Sequence, residues 1–252
     1  MKPRLLLFGD SHSIAVIEAL ELRREQGRPV PIEGFRRSKL KDGKQIGDIS
    51  FDAFLHRIAA LAPDDIVLSM VGGSHYAMFG TIQHPQPFDF YLPREAARSG
   101  EDVEIIPFHA LRAFLTEAVL DGFEGEGLHI HGDGAALEAM RTGTSARVLH
   151  IVAPPPIENG ARIARRFESF FAEGGIHSRG VSPPALRRKL WALQTSIVHK
   201  FCTKRGIEVM MPPPGTVEGG FLREQFHIGG AHANRHYGER IIAELERRLL
   251  PA

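Results

Sequence analysis

The residues with chemical potential sit in two short stretches at opposite ends of the chain. The first is LLLFGDSHS, residues 5–13, where an apolar run stops at Gly9, Asp10, Ser11 and His12. The second is FHIGGAHANRHYG, residues 226–238, which holds His227, His232 and His236. A serine is a poor nucleophile until a base takes its proton, so Ser11 with an imidazole brought to it would attack an acyl carbon. His232 is the residue we assign as that base. Asp10 and His12 read the other way, as metal ligands. A third reading requires no chemistry, because a Ser ahead of a helix commonly accepts hydrogen bonds from the helix's first free N–H groups. His232 and His236 stand four apart, yet without the H-E-x-x-H context that marks a zinc helix.

Bringing such groups together requires elements that deliver them to one place. Five short apolar runs rich in branched side chains predict strands at 4–8, 29–33, 65–71, 147–153 and 207–211. The first, third and fourth are nearly continuous in apolar character, as strands covered on both faces should be. Apolar spacing predicts helices at 13–26 and at 50–61, the second behind a cap at Ser50. Further helices are predicted at 107–122, 134–142, 183–205 and 234–249. Strand and helix alternating over the whole length mean a three-layer α/β/α sandwich on a mainly parallel sheet. No repeat or low-complexity linker divides the chain, so residues 1–252 read as one domain. Two irregular stretches, about 76–106 and 156–182, follow predicted strands and read as loop or lid insertions.

In an open parallel sheet, ligands bind beyond the carboxyl ends of the strands. Gly9-Asp10-Ser11-His12 follow the first predicted strand, Gly34 the second and Gly72-Gly73-Ser74-His75 the third, while His232 lies past the fifth. Four clusters thus reach one rim. The tetrahedral intermediate of acyl transfer needs hydrogen-bond donors. The backbone N–H groups of Ser11 and Gly34 supply two, Gly34 because a missing Cβ allows close approach to a ligand. The Ser74 hydroxyl is a third. Gly34, Gly72 and Gly73 read equally well as turn glycines. His12, His75, His84, His129 and His131 read as structural or surface imidazoles.

On these residues the chain resembles the SGNH (GDSL-type) hydrolase family over essentially its whole length. Gly9-Asp10-Ser11 matches that family's G-D-S block and Gly34 its glycine after the second strand. The stretch GAHANRHYG resembles its D-x-x-H block in the way it enters the last helix. The resemblance implies a flavodoxin-like sheet of five strands in the order 2-1-3-4-5, a Ser nucleophile, a His base, and no metal or cofactor. Two positions depart from the pattern. Ser74 stands where the family has an Asn donor, and Gly229 where it has the Asp that orients the histidine. Nothing acidic lies within four residues before His232, and the nearest on that side is Glu224. A backbone carbonyl, a distant carboxylate or nothing at all must then set its tautomer. The form Gly9-Asp10-Ser11-His12 is similar to members that move acetyl groups on or off sugars. That implies a small-molecule or carbohydrate ester as substrate.

A metal-dependent phosphoesterase is the strongest alternative. Such enzymes are similar in using D-x-H, G-D, G-N-H and G-H-x-H, against Asp10-Ser11-His12, Gly47-Asp48, Gly73-Ser74-His75 and Gly127-Leu128-His129-Ile130-His131 here. Against it, Gly47-Asp48 follows polar KDGKQI, the asparagine is missing, and the last motif has one residue too many. A non-catalytic scaffold that binds a sugar or a protein is the other alternative. A net charge of +1 gives no reason to expect a nucleic-acid binder, whose footprint would be a strongly basic face. No stretch approaches the ~20 apolar residues of a membrane helix. LLLF is too short for a signal peptide's apolar region, so a cytoplasmic location is expected. Cys202 is the single cysteine and reads as a buried, inert thiol. Phe79, Phe88, Phe90 and Tyr91 either line an acyl or sugar pocket or pack the long loop onto the domain. Arg162, Arg165 and Arg166 read as a solvated helix face.

Overall fold

The computed structural model describes residues 3–41, 43–92, 102–125 and 128–250. Five parallel strands form the central sheet: β1 Leu5–Gly9, β2 Ile32–Arg36, β3 Ile66–Met70, β4 Arg147–Ile151 and β5 Glu208–Met210. Their spatial order is β2-β1-β3-β4-β5. Ten helices are described: α1 Ile14–Glu25, α2 Phe51–Ala59, α3 His75–Gly80, α4 Phe108–Leu120, α5 Gly134–Thr142, α6 Gly160–Arg165, α7 Ser169–Glu173, α8 Ile176–Arg179, α9 Pro184–Lys204 and α10 Arg235–Leu249. The result is the expected three-layer sandwich.

Burial explains the apolar runs. Every residue of β1 and of β3 is buried. Alternate side chains of β1 feed two cores, Leu6 and Phe8 one, Leu5 and Leu7 the other. The first core is closed by α2, α4, α5 and α9, the second by α1 and α10. Each Leu or Phe so enclosed contributes about 1.5–3 kcal/mol. Helix ends follow their side chains: Ser50 Oγ accepts the Ala53 N–H at 3.1 Å, the predicted cap. Asn234 Oδ1 accepts from the His236 and Tyr237 amides at 2.9 and 3.3 Å, starting α10. Cys202 is buried, and burial pushes its thiol up to about 12. Among the described residues no helix is long and apolar enough to cross a membrane.

The second strand lies further along than the expected 29–33. Pro29 and Pro31 have no N–H to give a ladder, so β2 waits until Ile32 and runs on through Gly34 to Arg36. The stretches 76–106 and 156–182 are not bare loops. They carry most of α3, all of α6, α7 and α8, and a short parallel pair, Phe88–Asp89 with Glu104–Ile105. Residues 93–101 lie outside the described ones. Buried cations tie these stretches to α9. Lys189 Nζ reaches Asp89 at 2.5 Å and donates to the Phe90 carbonyl at 2.8 Å. Arg187 donates to the carbonyls of Ile157 and Glu158 at 2.9 and 2.8 Å.

One packing contact sets up the site. A Cβ on Gly238 of α10 would lie 1.9 Å from the Ala15 carbonyl oxygen of α1, so the two helices meet backbone to backbone. Arg23 of α1 adds ion pairs to Glu239 and Glu246 of α10 at 2.7 and 2.8 Å. Ser11 precedes α1 and His232 precedes α10, so this close crossing holds the chain's two chemically active ends in one frame.

Candidate active site

β1 ends under its neighbour, where a Cβ on Gly9 would lie 2.7 Å from the Met70 carbonyl oxygen. The chain then turns through Asp10 into a 3-10 turn, Ser11–Ser13, that leads into α1. Asp10 accepts the Gly72 N–H at 2.7 Å and faces the Arg37 guanidinium at 3.6 Å. The hydroxyl that bonds back to the turn is that of Ser13, to the Asp10 carbonyl at 2.7 Å. Ser11 does not cap the helix. Its Oγ lies 2.8 Å from His232 Nε2.

His232 sits on a hairpin, His227–Ile228 against His232–Ala233. Asn234, two residues on, braces it by donating to the Gln225 and His227 carbonyls at 2.8 and 3.3 Å. The other ring nitrogen, Nδ1, lies 2.6 Å from Glu168 Oε1. That same oxygen accepts the Gly230 and Ala231 amides, each at 3.2 Å. A carboxylate there keeps a proton on Nδ1 and leaves the Nε2 lone pair for the Ser11 hydroxyl. Burial raises the Glu168 carboxyl. The hydrogen bond and charge of His232, with the Ala231 amide, outweigh that and hold it below its ordinary value. It is therefore ionised at neutral pH.

Glu168 is the residue the sequence reading did not single out. It lies 64 positions before its histidine, within a stretch read as a loop. The one local signal is a lone carboxylate among aromatics, Phe167, Phe170 and Phe171. Its position also accounts for Gly229. A Cβ at Gly229 would lie 2.5 Å from Glu168 Oε1, and one at Gly230 would lie 3.1 Å from Oε2. The place where the resembled family carries its aspartate is vacated for a carboxylate that arrives from elsewhere.

Gly34 falls differently from the expectation. It pairs with Leu7 inside β2, and a Cβ there would meet Ile17 and Leu20 of α1 at 3.0 and 3.4 Å. Its missing side chain lets α1 lie close on the sheet. At the rim itself, β1 ends level with Arg36. The next two amides are already used, Arg37 by the Gly9 carbonyl at 2.9 Å and Ser38 by Ile49 at 2.8 Å.

Ser74 does reach the rim. Gly72 and Gly73 adopt φ of +66° and +83°, a left-handed pair that only glycine takes readily, and they swing Ser74 beside His12. Ser74 Oγ lies 3.3 Å from His12 Nε2, and the His12 ring centroid is 4.9 Å from that of His232. Burial, with the charge of His232, lowers His12 to about 3, so it stays neutral. Its Nδ1 is buried without a partner among the described residues. An orphaned N–H is the rarer arrangement, which places the proton on Nε2 and leaves the Ser74 hydroxyl hydrogen free.

Two carboxyl groups pin the glycine turn, Asp10 on the Gly72 amide and Asp133 Oδ2 on the Gly73 amide at 3.0 Å. Burial pushes Asp133 up to about 8, against the pull of the Gly73 amide, and the Asp10 charge adds to the rise. His75 Nδ1 lies 3.6 Å from Asp133 Oδ2, and burial lowers that imidazole to about 4. Near pH 6 both are therefore neutral. Between the unperturbed carboxyl value of 3.8 and about 8, the folded state holds a proton on Asp133 that the unfolded chain lacks. Stability contributed by this group must then fall as pH rises through that window. Asp133→Asn keeps an acceptor for Gly73 and does not titrate. Its Tm should gain on the wild type between about pH 5 and pH 8.5 in thermal melts. A constant difference across that range would contradict the assignment.

The residues of the metal alternative have other partners. Asp10 holds the Gly72 amide, Asp48 accepts the Arg36 amide at 2.6 Å, and His75 faces Asp133. Gly127 and the His129 side chain lie outside the described residues. Among the described residues no three His, Cys, Asp or Glu side chains gather as a metal set would.

Fold and site together define an α/β/α protein with a hydrogen-bonded Ser–His–Glu chain at the carboxyl edge of its sheet. No family model matches the sequence, and no curated protein matches it. The structure is similar to phospholipase A1 from Streptomyces albidoflavus, at 12% identity and a TM-score of 0.46 over 98% of this chain and 99% of that one. It is also similar to the aryl esterase of M. smegmatis, at 16% identity and a TM-score of 0.40 over 98% of this chain and 99% of that one.

Proposed function

We propose that this protein is a serine ester hydrolase of SGNH type, with Ser11 as nucleophile, His232 as general base and Glu168 as the acid that orients it. The observation that carries the reading is the line Ser11 Oγ–His232 Nε2–Nδ1–Glu168 Oε1, with links of 2.8 and 2.6 Å. Both lie within the reach proton transfer requires. A scaffold that only binds needs no ionised carboxylate in line with an imidazole and a hydroxyl.

In the reaction, Ser11 Oγ attacks the ester carbon as its proton passes to His232 Nε2. Glu168 stabilises the imidazolium that forms. The developing oxyanion is received by the Ser11 N–H, which opens a helical turn and has no partner within it, and by the free hydrogen of Ser74. His232 then gives its proton to the leaving alkoxide, and an acyl group remains on Ser11. Water, deprotonated by the same nitrogen, releases the acid. Gly34 has no part in this scheme, and no cofactor is required.

A fluorophosphonate probe tests the assignment directly. The native protein should gain one phosphonyl adduct on Ser11 by mass spectrometry, and Ser11→Ala should gain none. Absence of labelling in the native protein, or labelling at another residue, would remove the nucleophile from the scheme.

A further inference from the structure

A cavity of about 810 Å³ is walled in part by α3 and α7, the helices that follow Ser74 and Glu168. On α3, the Met78 amide bonds to the Ser74 carbonyl at 3.0 Å, so Met78 lies one turn along the same face from Ser74. Met78, Phe79 and Ile82 form one wall. On α7, Phe170 follows Glu168 by two residues and forms another. Phe114 of α4 closes the far side, and Phe79, Phe114 and Phe123 meet edge to face with centroids 5.2 to 5.6 Å apart.

We propose that this cavity receives the acyl chain of the substrate, so that the protein acts on esters of unbranched, medium-chain fatty acids in preference to acetates. The proposal rests on the hydrolase reading above and names its substrate class. The distribution of polarity argues for a hydrocarbon. The half-buried walls are Met, Ile and Phe, whereas the polar lining residues, His84, Gln86, Glu104, Glu173 and Arg179, are exposed at the mouth. Among the described residues, no buried polar side chain lines the interior to recognise a sugar hydroxyl or a phenol. Phe114, in its wall, is left 39% exposed among the described residues. Of the aromatics marked in the sequence, Phe79 and Phe88 line this space, while Phe90 is fully buried against Phe108.

Turnover of p-nitrophenyl acetate, butanoate, octanoate and dodecanoate gives the test. Each methylene that enters the cavity should raise kcat/KM about fourfold, and octanoate should exceed acetate at least about 100-fold. Phe114→Asp places a charge in the wall at a half-exposed position. It should lower octanoate turnover at least tenfold and leave acetate turnover within about twofold, which also shows that the variant folds. Rates that stay flat or fall from acetate upward would overturn the proposal, as would equal losses for both esters. Calorimetry with decanoate separates this idea from the hydrolase reading: the Ser11→Ala protein should bind decanoate, and adding Phe114→Asp should weaken binding at least tenfold. Decanoate binding with no ester turnover would end the hydrolase reading alone. Ser11-dependent acetate turnover with no decanoate binding would end the cavity's role alone.

Discussion

Ser11→Ala and His232→Ala are each expected to lower kcat for a p-nitrophenyl ester about 10⁶-fold, and the double variant to lower it no further. The two groups perform one proton transfer, so losing either leaves the other idle. No neighbour takes over. The adjacent imidazole, His12, has its Nε2 against Ser74 and is lowered chiefly by burial, a cause that stays when His232 is removed. It is too weak a base at neutral pH to take the Ser11 proton. KM should change little, because neither side chain contributes much binding area. Stability should also hold, since the His232 side chain is already one-quarter exposed. Steady-state kinetics with thermal melts as a folding control decide the matter. A residual kcat above about one-hundredth of wild type in either variant would refute the assignment.

The parts of this molecule that could be read from the sequence are those whose cause is local. β1, β3 and β4 show as apolar runs because both of their faces are covered. The cap at Ser50 shows because its side chain bonds an amide three residues away. Ser11 stood out where the first apolar run stops and His232 past the fifth predicted strand, and the structure brings their side chains into contact. Gly34 was misplaced by a local fact given too little weight, that Pro29 and Pro31 have no N–H to give a ladder. The strand therefore slid along the chain and took Gly34 from the rim into the sheet. Glu168 failed to show for the opposite reason. Its role is decided by the docking of the α6–α7 segment against the Gly229–Ala231 turn, a tertiary contact with no trace in spacing. The absence of an acidic residue before His232 was visible. What fills that absence was not.

That substitution of one carboxylate source for another makes the sharpest test of the site. Glu168→Gln should lower kcat about 10³–10⁴-fold with KM nearly unchanged, because the imidazolium loses its counter-charge and the ring its fixed tautomer. Gly229→Asp alone should also be damaging. Its Cβ would lie 2.5 Å from Glu168 Oε1 and would bring a second negative charge to the same space. In Glu168→Ala that space is open, and the amides of Gly230 and Ala231 have lost their acceptor. Adding Gly229→Asp to Glu168→Ala returns a carboxylate near His232 Nδ1. Gly229 has φ of +62°, which aspartate tolerates better than most residues. The double variant should therefore exceed Glu168→Ala in kcat by at least about tenfold, although Gly229→Asp is harmful in the wild-type background. Such a reversal of sign follows only if both side chains compete for one site beside the histidine. A double variant no faster than Glu168→Ala would show that the space at Gly229 does not substitute for Glu168, and that the glycine serves the turn alone.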